Sequence, residues 1–144
     1  MQQPTMTTDN HGNIQYTLYG ELHREDGPAI IYADGEQCWY LNSQRHREDG
    51  PAIICSDGSQ EWWLNGLRHR EDRPAIIHPS GSQSWYINDR LHRLDGPAFT
   101  YADGTHLWYI NGKIYDFDDY CKQLKLSEEV IVFLKLKYTT RVTA

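Results

Sequence analysis

Four histidines, His23, His46, His69 and His92, recur every 23 residues, each followed at once by arginine and, two positions later, by aspartate. Imidazoles at a fixed interval are candidate metal ligands. Histidine, aspartate and arginine together carry the groups of general acid–base chemistry. The spacing argues against both. Equivalent residues of neighbouring hairpins stand two strands apart, roughly 9–10 Å, whereas shared ligands must each lie within about 2.1 Å of the metal. No cysteine or carboxylate recurs at ligand spacing to complete a set. Four near-copies on a line are also unlike an active site, which is one constellation. No periodic Ser or Cys nucleophile stands beside a base, and no glycine-rich phosphate loop is present. The expectation is therefore no catalytic residue, no metal site and no cofactor. Each histidine is expected to bond within its own connector, and the arginines to bridge carboxylates.

The elements that carry these residues are repeats. Pro28, Pro51, Pro74 and Pro97 keep the same 23-residue step. So do Trp39, Trp62, Trp85 and Trp108, and Asn42, Asn65, Asn88 and Asn111. A period this short is one supersecondary unit stacked on its copies. Within a unit, Ala29-Ile30-Ile31-Tyr32 reads as a strand and Asp34-Gly35 as a tight turn. Glu36 to Leu41 reads as a second strand, and Asn42 opens a polar connector. Alternation puts Trp39 and Leu41 on one face, with chemistry that never varies between copies, and predicts it buried. Cys38 and Tyr40 point to the other, solvent-facing side. After Tyr115 the pattern changes. Phe117, Tyr120, Cys121 and Leu124 fall on one helical face, and Ser127 with Glu128 and Glu129 reads as a helix start. The predicted fold is all-β, a single-layered solenoid of antiparallel hairpins with a small α-helical C-terminal cap. The predicted organisation is a flexible stretch over 1–10, the array over 11–115 opening with a half-repeat, the cap over 116–138, and a tail over 139–144.

The bulk chemistry narrows the partners. The chain of 144 residues has a formal charge of −6 and a mean hydropathy of −0.73. That balance disfavours direct binding of nucleic acid or an anionic membrane surface. No apolar run approaches the roughly 20 residues that span a bilayer, and the N-terminus lacks a signal pattern. Three cysteines at unrelated repeat positions suggest neither a disulfide framework nor zinc, and point to a reducing, cytoplasmic compartment.

Tyr40, Trp63, Tyr86 and Tyr109 form an aromatic row, of the residue types that dominate interface hot spots. The third unit departs most from its neighbours. Arg73 replaces a glycine, and His78-Pro79-Ser80 replaces Tyr-Ala-Asp. A specific patch is therefore expected around Arg70, Arg73 and His78 with Trp63 and Tyr86. His23, His46, His69, His92 and the four periodic tryptophans are read as structural. The Asn13–Tyr19 stretch is expected to be an uncovered edge strand able to pair with a second copy. The function expected is non-enzymatic binding of a protein partner. Two alternatives are an acidic mimic of nucleic acid, built on Asp26, Asp49, Asp72 and Asp95 with the turn acids Asp34, Asp57 and Asp103, and sequestration of a small anionic ligand between arginines.

The run from Trp62 to Arg70 (WWLNGLRHR), followed by Pro74-Ala75-Ile76-Ile77 and Gly81, resembles the variant branch of the MORN (membrane occupation and recognition nexus) repeat family. The resemblance covers roughly residues 11–115. It departs from the better-known form at Asp-Gly-Pro, where a His-Gly-x-Gly run is usual. It implies an elongated, twisted sheet of hairpins whose members mostly mediate protein contacts, some being linked to membrane lipids. The wording of residues 91–98 also resembles repeats of uncharacterised phage and large-virus proteins. That implies a viral protein acting in the host cytoplasm to block a host defence factor.

Overall fold

The asparagine turns form as their residue types require. Asn42, Asn65, Asn88 and Asn111 take φ of 48°, 49°, 48° and 49°, and the residue after each is also positive in φ. Two successive left-handed residues make the mirror-image turn whose twist matches antiparallel strands. Asparagine accepts that conformation because its short amide can bond locally. Asn42 with Ser43 thereby sets Tyr40 opposite Arg45, and Asn65 with Gly66 sets Trp63 opposite Arg68. The asparagine therefore closes a second hairpin rather than merely opening a connector. Each unit has three short strands, for example Ile30–Ile31, Gln37–Cys38 continuing to Tyr40–Leu41, and Gln44–Arg45.

The computed structural model describes residues 1–139. Among them most strands join in one large, open antiparallel sheet, the hairpins closed by Asn42, Asn65 and Asn88 form two-stranded sheets of their own beside it, and a small helical end follows, with no closed barrel. Between units the ladder runs from Cys38 to Ile53 and from Glu61 to Ile76. It is extended by Trp39 N–H donating to the Ala52 carbonyl at 2.8 Å and Trp62 N–H to that of Ala75 at 2.8 Å. The hairpin row is tied as well, with Arg47 N–H donating to the Trp63 carbonyl at 3.1 Å. The described residues hold no helix long and apolar enough to cross a membrane.

Three expectations need correcting. First, part of the 1–10 stretch is strand. Thr5–Thr8 (β1) pairs along Ile14–Leu18 (β2), with Thr5 opposite Thr17 and Thr8 opposite Ile14. The edge expected at Asn13–Tyr19 is thus covered, and the outer edge of the sheet is β1. The Asp9 side chain builds the turn between them, accepting from the N–H groups of His11 and Asn13. Second, the tryptophan face is buried at its alanines more than at its rings: Ala29, Ala52, Ala75 and Ala98 are 0% exposed. Trp39, Trp62 and Trp85 are half-buried, and only Trp108, at 5% exposure, is fully covered. Third, the opposite face is not simply solvated. Cys38 is 2% exposed and Ser84 3%. Ile30, Cys38 and Ile53 form a cluster with Leu22, Tyr40, Cys55 and Trp63 packed against it. Cross-strand isoleucines close over the small side chains between them, which alternation alone does not reveal.

The cap forms over the last tryptophan. Phe117–Gln123 (α1) starts at Asp116, whose carboxylate accepts the Asp119 N–H at 2.8 Å. Glu128–Leu134 (α2) starts at Ser127 and runs into a π-helical turn, Lys135–Thr139. Trp108, Tyr120, Cys121 and Leu134 make the main core, with Phe117, Leu124 and Tyr138 against it. The tail expected beyond Thr139 lies outside the described residues.

Candidate functional site

The histidine ladder joins hairpin to hairpin. His23 Nδ1 accepts the Asn42 N–H at 3.2 Å, and His46, His69 and His92 do the same for Asn65, Asn88 and Asn111 at 3.1, 3.2 and 2.9 Å. Each histidine therefore reaches across to the next asparagine turn instead of bonding within its own connector. A neutral imidazole that accepts at Nδ1 carries its proton at Nε2; Nδ1 of His23 and His69 also lies 2.9 and 3.0 Å from Oδ1 of Asn42 and Asn88, contacts that suit the opposite tautomer or a turned amide. The Nε2 atoms of His23, His46 and His69 point toward Glu25, Glu48 and Glu71 at 3.7, 3.6 and 3.8 Å. Burial holds the His92 imidazole below its ordinary range. Among the described residues, no three His, Cys, Asp or Glu side chains are grouped to hold a metal ion.

The arginines after the histidines sit over aromatic rings. Arg24 covers Tyr16 at 3.9 Å, Arg47 covers Trp39 at 4.1 Å, Arg70 covers Trp62 at 3.7 Å and Arg93 covers Trp85 at 4.0 Å. Nη1 of each donates to a proline carbonyl, Pro28, Pro51, Pro74 or Pro97, at 3.1–3.3 Å. Nε of Arg24, Arg47 and Arg93 donates to Asp26, Asp49 and Asp95 at 2.7–2.8 Å. Those arginines hold the carboxyls of Asp26 and Asp49 below the usual range. The glycine of Asp-Gly-Pro makes room for this. A Cβ at Gly27, Gly50 or Gly96 would stand 2.8–2.9 Å from the guanidinium carbon. In the third unit Arg73 occupies that position, and Arg70 keeps its ring and its carbonyl but makes no ion pair with Asp72. Burial, and then the neighbouring Arg73 charge, lower the affinity of Arg70 for its proton.

At the end of the column the cap replaces the arginine. Asp116 stands where an arginine would cover Trp108, and the rings of Phe117, Tyr120 and Tyr138 take its place at 5.0, 4.8 and 5.8 Å. The Tyr120 hydroxyl donates to the Arg93 carbonyl at 2.8 Å and accepts the Gly96 N–H at 3.3 Å. Its burial pushes the phenol up to about 12.

On the other face the expected row exists and has an addition. Arg45 lies between Tyr40 and Trp63, at 5.9 and 5.0 Å from their ring centres. Arg68 lies between Trp63 and Tyr86, at 5.7 and 4.2 Å. Glu61 accepts from the Trp63 indole N–H at 2.8 Å, and Arg68 Nε is held by Asp89. The Asp89 carboxylate raises the Arg68 pKa, and the Arg68 guanidinium lowers that of Asp89. Tyr109 holds the equivalent strand position opposite Ile114, but Leu91 stands where the arginines do, so it is not joined in the same way. Arg45 and Arg68 were absent from the expected site. Their signal was the two-residue asparagine turn, which dictates the Tyr40–Arg45 and Trp63–Arg68 register.

The third-unit set does not form one patch. Arg70 lies over Trp62, whereas Trp63, its neighbour on an extended strand, is contacted by Arg45 and Arg68. Arg73 is exposed in the connector, and His78 bonds the Ser59 hydroxyl at 3.1 Å at the far end of the unit. No protein-family model matches the chain, and no curated protein does.

Proposed function

We propose that the protein is a non-enzymatic binding module that presents the row Tyr40, Arg45, Trp63, Arg68 and Tyr86 to a protein partner. One observation carries the reading: two guanidinium groups are seated between three half-buried aromatic rings along the row of two-stranded hairpins. These are the residue types that concentrate binding energy. Planar side chains already held in place lose little conformational freedom on docking. The periodic histidines and stacked arginines, by contrast, are engaged in the array itself. The likeness to MORN-type repeats favours the same class, and the likeness of residues 91–98 to phage and large-virus repeats extends it to a role in blocking a host factor. The mimic of nucleic acid is less favoured, because Asp26, Asp49 and Asp95 are each paired with an arginine. A homodimer through the edge now belongs to β1. The reducing cytoplasm remains the proposed compartment, consistent with three free thiols and a Cys38 pKa pushed up to about 12 by burial.

The test is capture of the partner from the source cells on immobilised protein, then affinity measurement with Trp63→Ala and Arg68→Ala. Loss of at least 2 kcal/mol in binding is expected for a hot spot, with Gln60→Ala on the other face unchanged. Equal affinity for all three variants would refute the assignment.

A further inference from the structure

Two equivalent grooves open on the tryptophan face, between successive connectors. The first encloses about 660 Å³ over a floor of Trp39 and Leu41, with walls of Glu25, Asp26, Glu48 and Asp49. The second encloses about 550 Å³ over Trp62 and Leu64, with walls of Glu48, Asp49 and Glu71. Asp26 and Asp49 are already paired with Arg24 and Arg47, so the wall charge left for a ligand is that of Glu25 and Glu48 in the first groove and of Glu48 and Glu71 in the second. The glutamates are free to meet a ligand: the side chains of Glu25, Glu48 and Glu71 are 85%, 84% and 78% exposed. Arg47 and Arg70 already cover one face of the Trp39 and Trp62 rings, so an incoming guanidinium would meet what those arginines leave open and the exposed glutamates. The series does not continue, because Arg73 replaces glycine and Leu94 replaces glutamate in the next connectors.

We infer that the two grooves receive two arginine side chains from one proline-rich segment of a partner protein. The spacing selects the conformation. The grooves lie one unit apart, roughly 9–10 Å. A polyproline II helix advances about 3.1 Å per residue with three residues per turn, so every third side chain returns to the same side after about 9.3 Å. A β-strand fails here, since its third residue points the other way. Aromatic-floored grooves are the usual receptors for such helices. Glu48 is the shared wall and contributes to both grooves. This surface is separate from the row of Tyr40, Trp63 and Tyr86, so the two assignments stand or fall independently.

The experiment uses the full chain and a synthetic peptide, acetyl-Pro-Arg-Pro-Pro-Arg-Pro-amide, with the indole N–H signals of Trp39 and Trp62 as readout. Saturable shifts at both indoles are expected, with Trp63 unmoved. Glu48→Gln should weaken binding at least fivefold while leaving the unfolding midpoint unchanged, and Glu129→Gln should do nothing. A peptide with adjacent arginines, acetyl-Pro-Arg-Arg-Pro-Pro-Pro-amide, should bind at least threefold more weakly. No saturable shift, unchanged affinity in Glu48→Gln, or equal binding of the two peptides would each overturn the inference. Arginine amide competing as well as the spaced peptide would also overturn it, by showing single-cation binding only.

Discussion

Replacing Arg47 tests the stacked column at a site with a complete set of contacts. Its guanidinium lies 4.1 Å from the Trp39 ring centre and donates to the Pro51 carbonyl at 3.2 Å. A half-buried stack of this kind contributes about 1–2 kcal/mol, and the carbonyl bond about 1 kcal/mol. Arg47→Met keeps an apolar cover on the ring but removes the charge and the donors, so a loss of about 2 kcal/mol follows. Arg47→Ala also uncovers the indole and should lose about 3 kcal/mol. Arg47→Lys keeps the charge, but a single ammonium cannot lie flat on the ring and hold the carbonyl together. It should fall between wild type and Met. Urea unfolding of the four proteins reads the order. Arg70→Met is the internal control, because Arg70 has the ring and carbonyl but no aspartate partner. An equal loss there assigns the energy to the stack. If Arg47→Lys matched wild type, or Arg47→Met cost under about 0.5 kcal/mol, the stacking argument would be wrong.

The other predictions concern the cap, the row and pH. Tyr120→Phe removes a buried hydroxyl bonded to Arg93 and Gly96 and should cost about 1–3 kcal/mol in chemical unfolding; no loss would mean the cap is held by ring packing alone. Arg45 Nε is buried without an acceptor among the described residues, while Arg68 has Asp89 from the next turn. Gly66 occupies the place equivalent to Asp89, with φ of 78° against 64°. Gly66→Asp gains about 1 kcal/mol from a bond to Arg45 against about 1 kcal/mol of left-handed strain, so it should leave the unfolding midpoint near wild type while Gly66→Ala lowers it; equal losses in the two variants would contradict the pairing. Burial lowers the pKa of both His92 and His106 from 6.5. Their contribution is full above pH 6.5 and is lost as pH falls from there through the depressed folded values, because the unfolded chain takes the protons first. Unfolding midpoints should therefore be lower at pH 5.5 than at pH 7.5, and a flat or rising trend toward acid would contradict this.

Local chemistry made some features legible from sequence. The asparagine turns, the 23-residue period, the Ser127 start and the helical face of Phe117, Tyr120, Cys121 and Leu124 all depend on residues close in the chain. The contacts that hold the array depend on register. Arg47 meets Trp39 only because a two-residue turn folds the intervening strand back alongside it, and His46 meets Asn65 across hairpins. Thr5–Thr8 gave no strand signal because all four residues are exposed and unpatterned, so pairing with β2 is its only cause. Burial on the second face was missed for a similar reason. Cys38 and Ser84 look polar and variable in sequence, yet cross-strand isoleucine and phenylalanine neighbours enclose them.

The account turns on the periodic histidines being wiring between hairpins rather than reactive groups. Nitrogen NMR of the imidazoles at neutral pH tests that directly. All four, His23, His46, His69 and His92, should show a protonated Nε2 and a bare, hydrogen-bonded Nδ1, with the N–H groups of Asn42, Asn65, Asn88 and Asn111 slow to exchange. Imidazoles protonated at Nδ1, or averaging freely between tautomers with fast-exchanging asparagine amides, would contradict it.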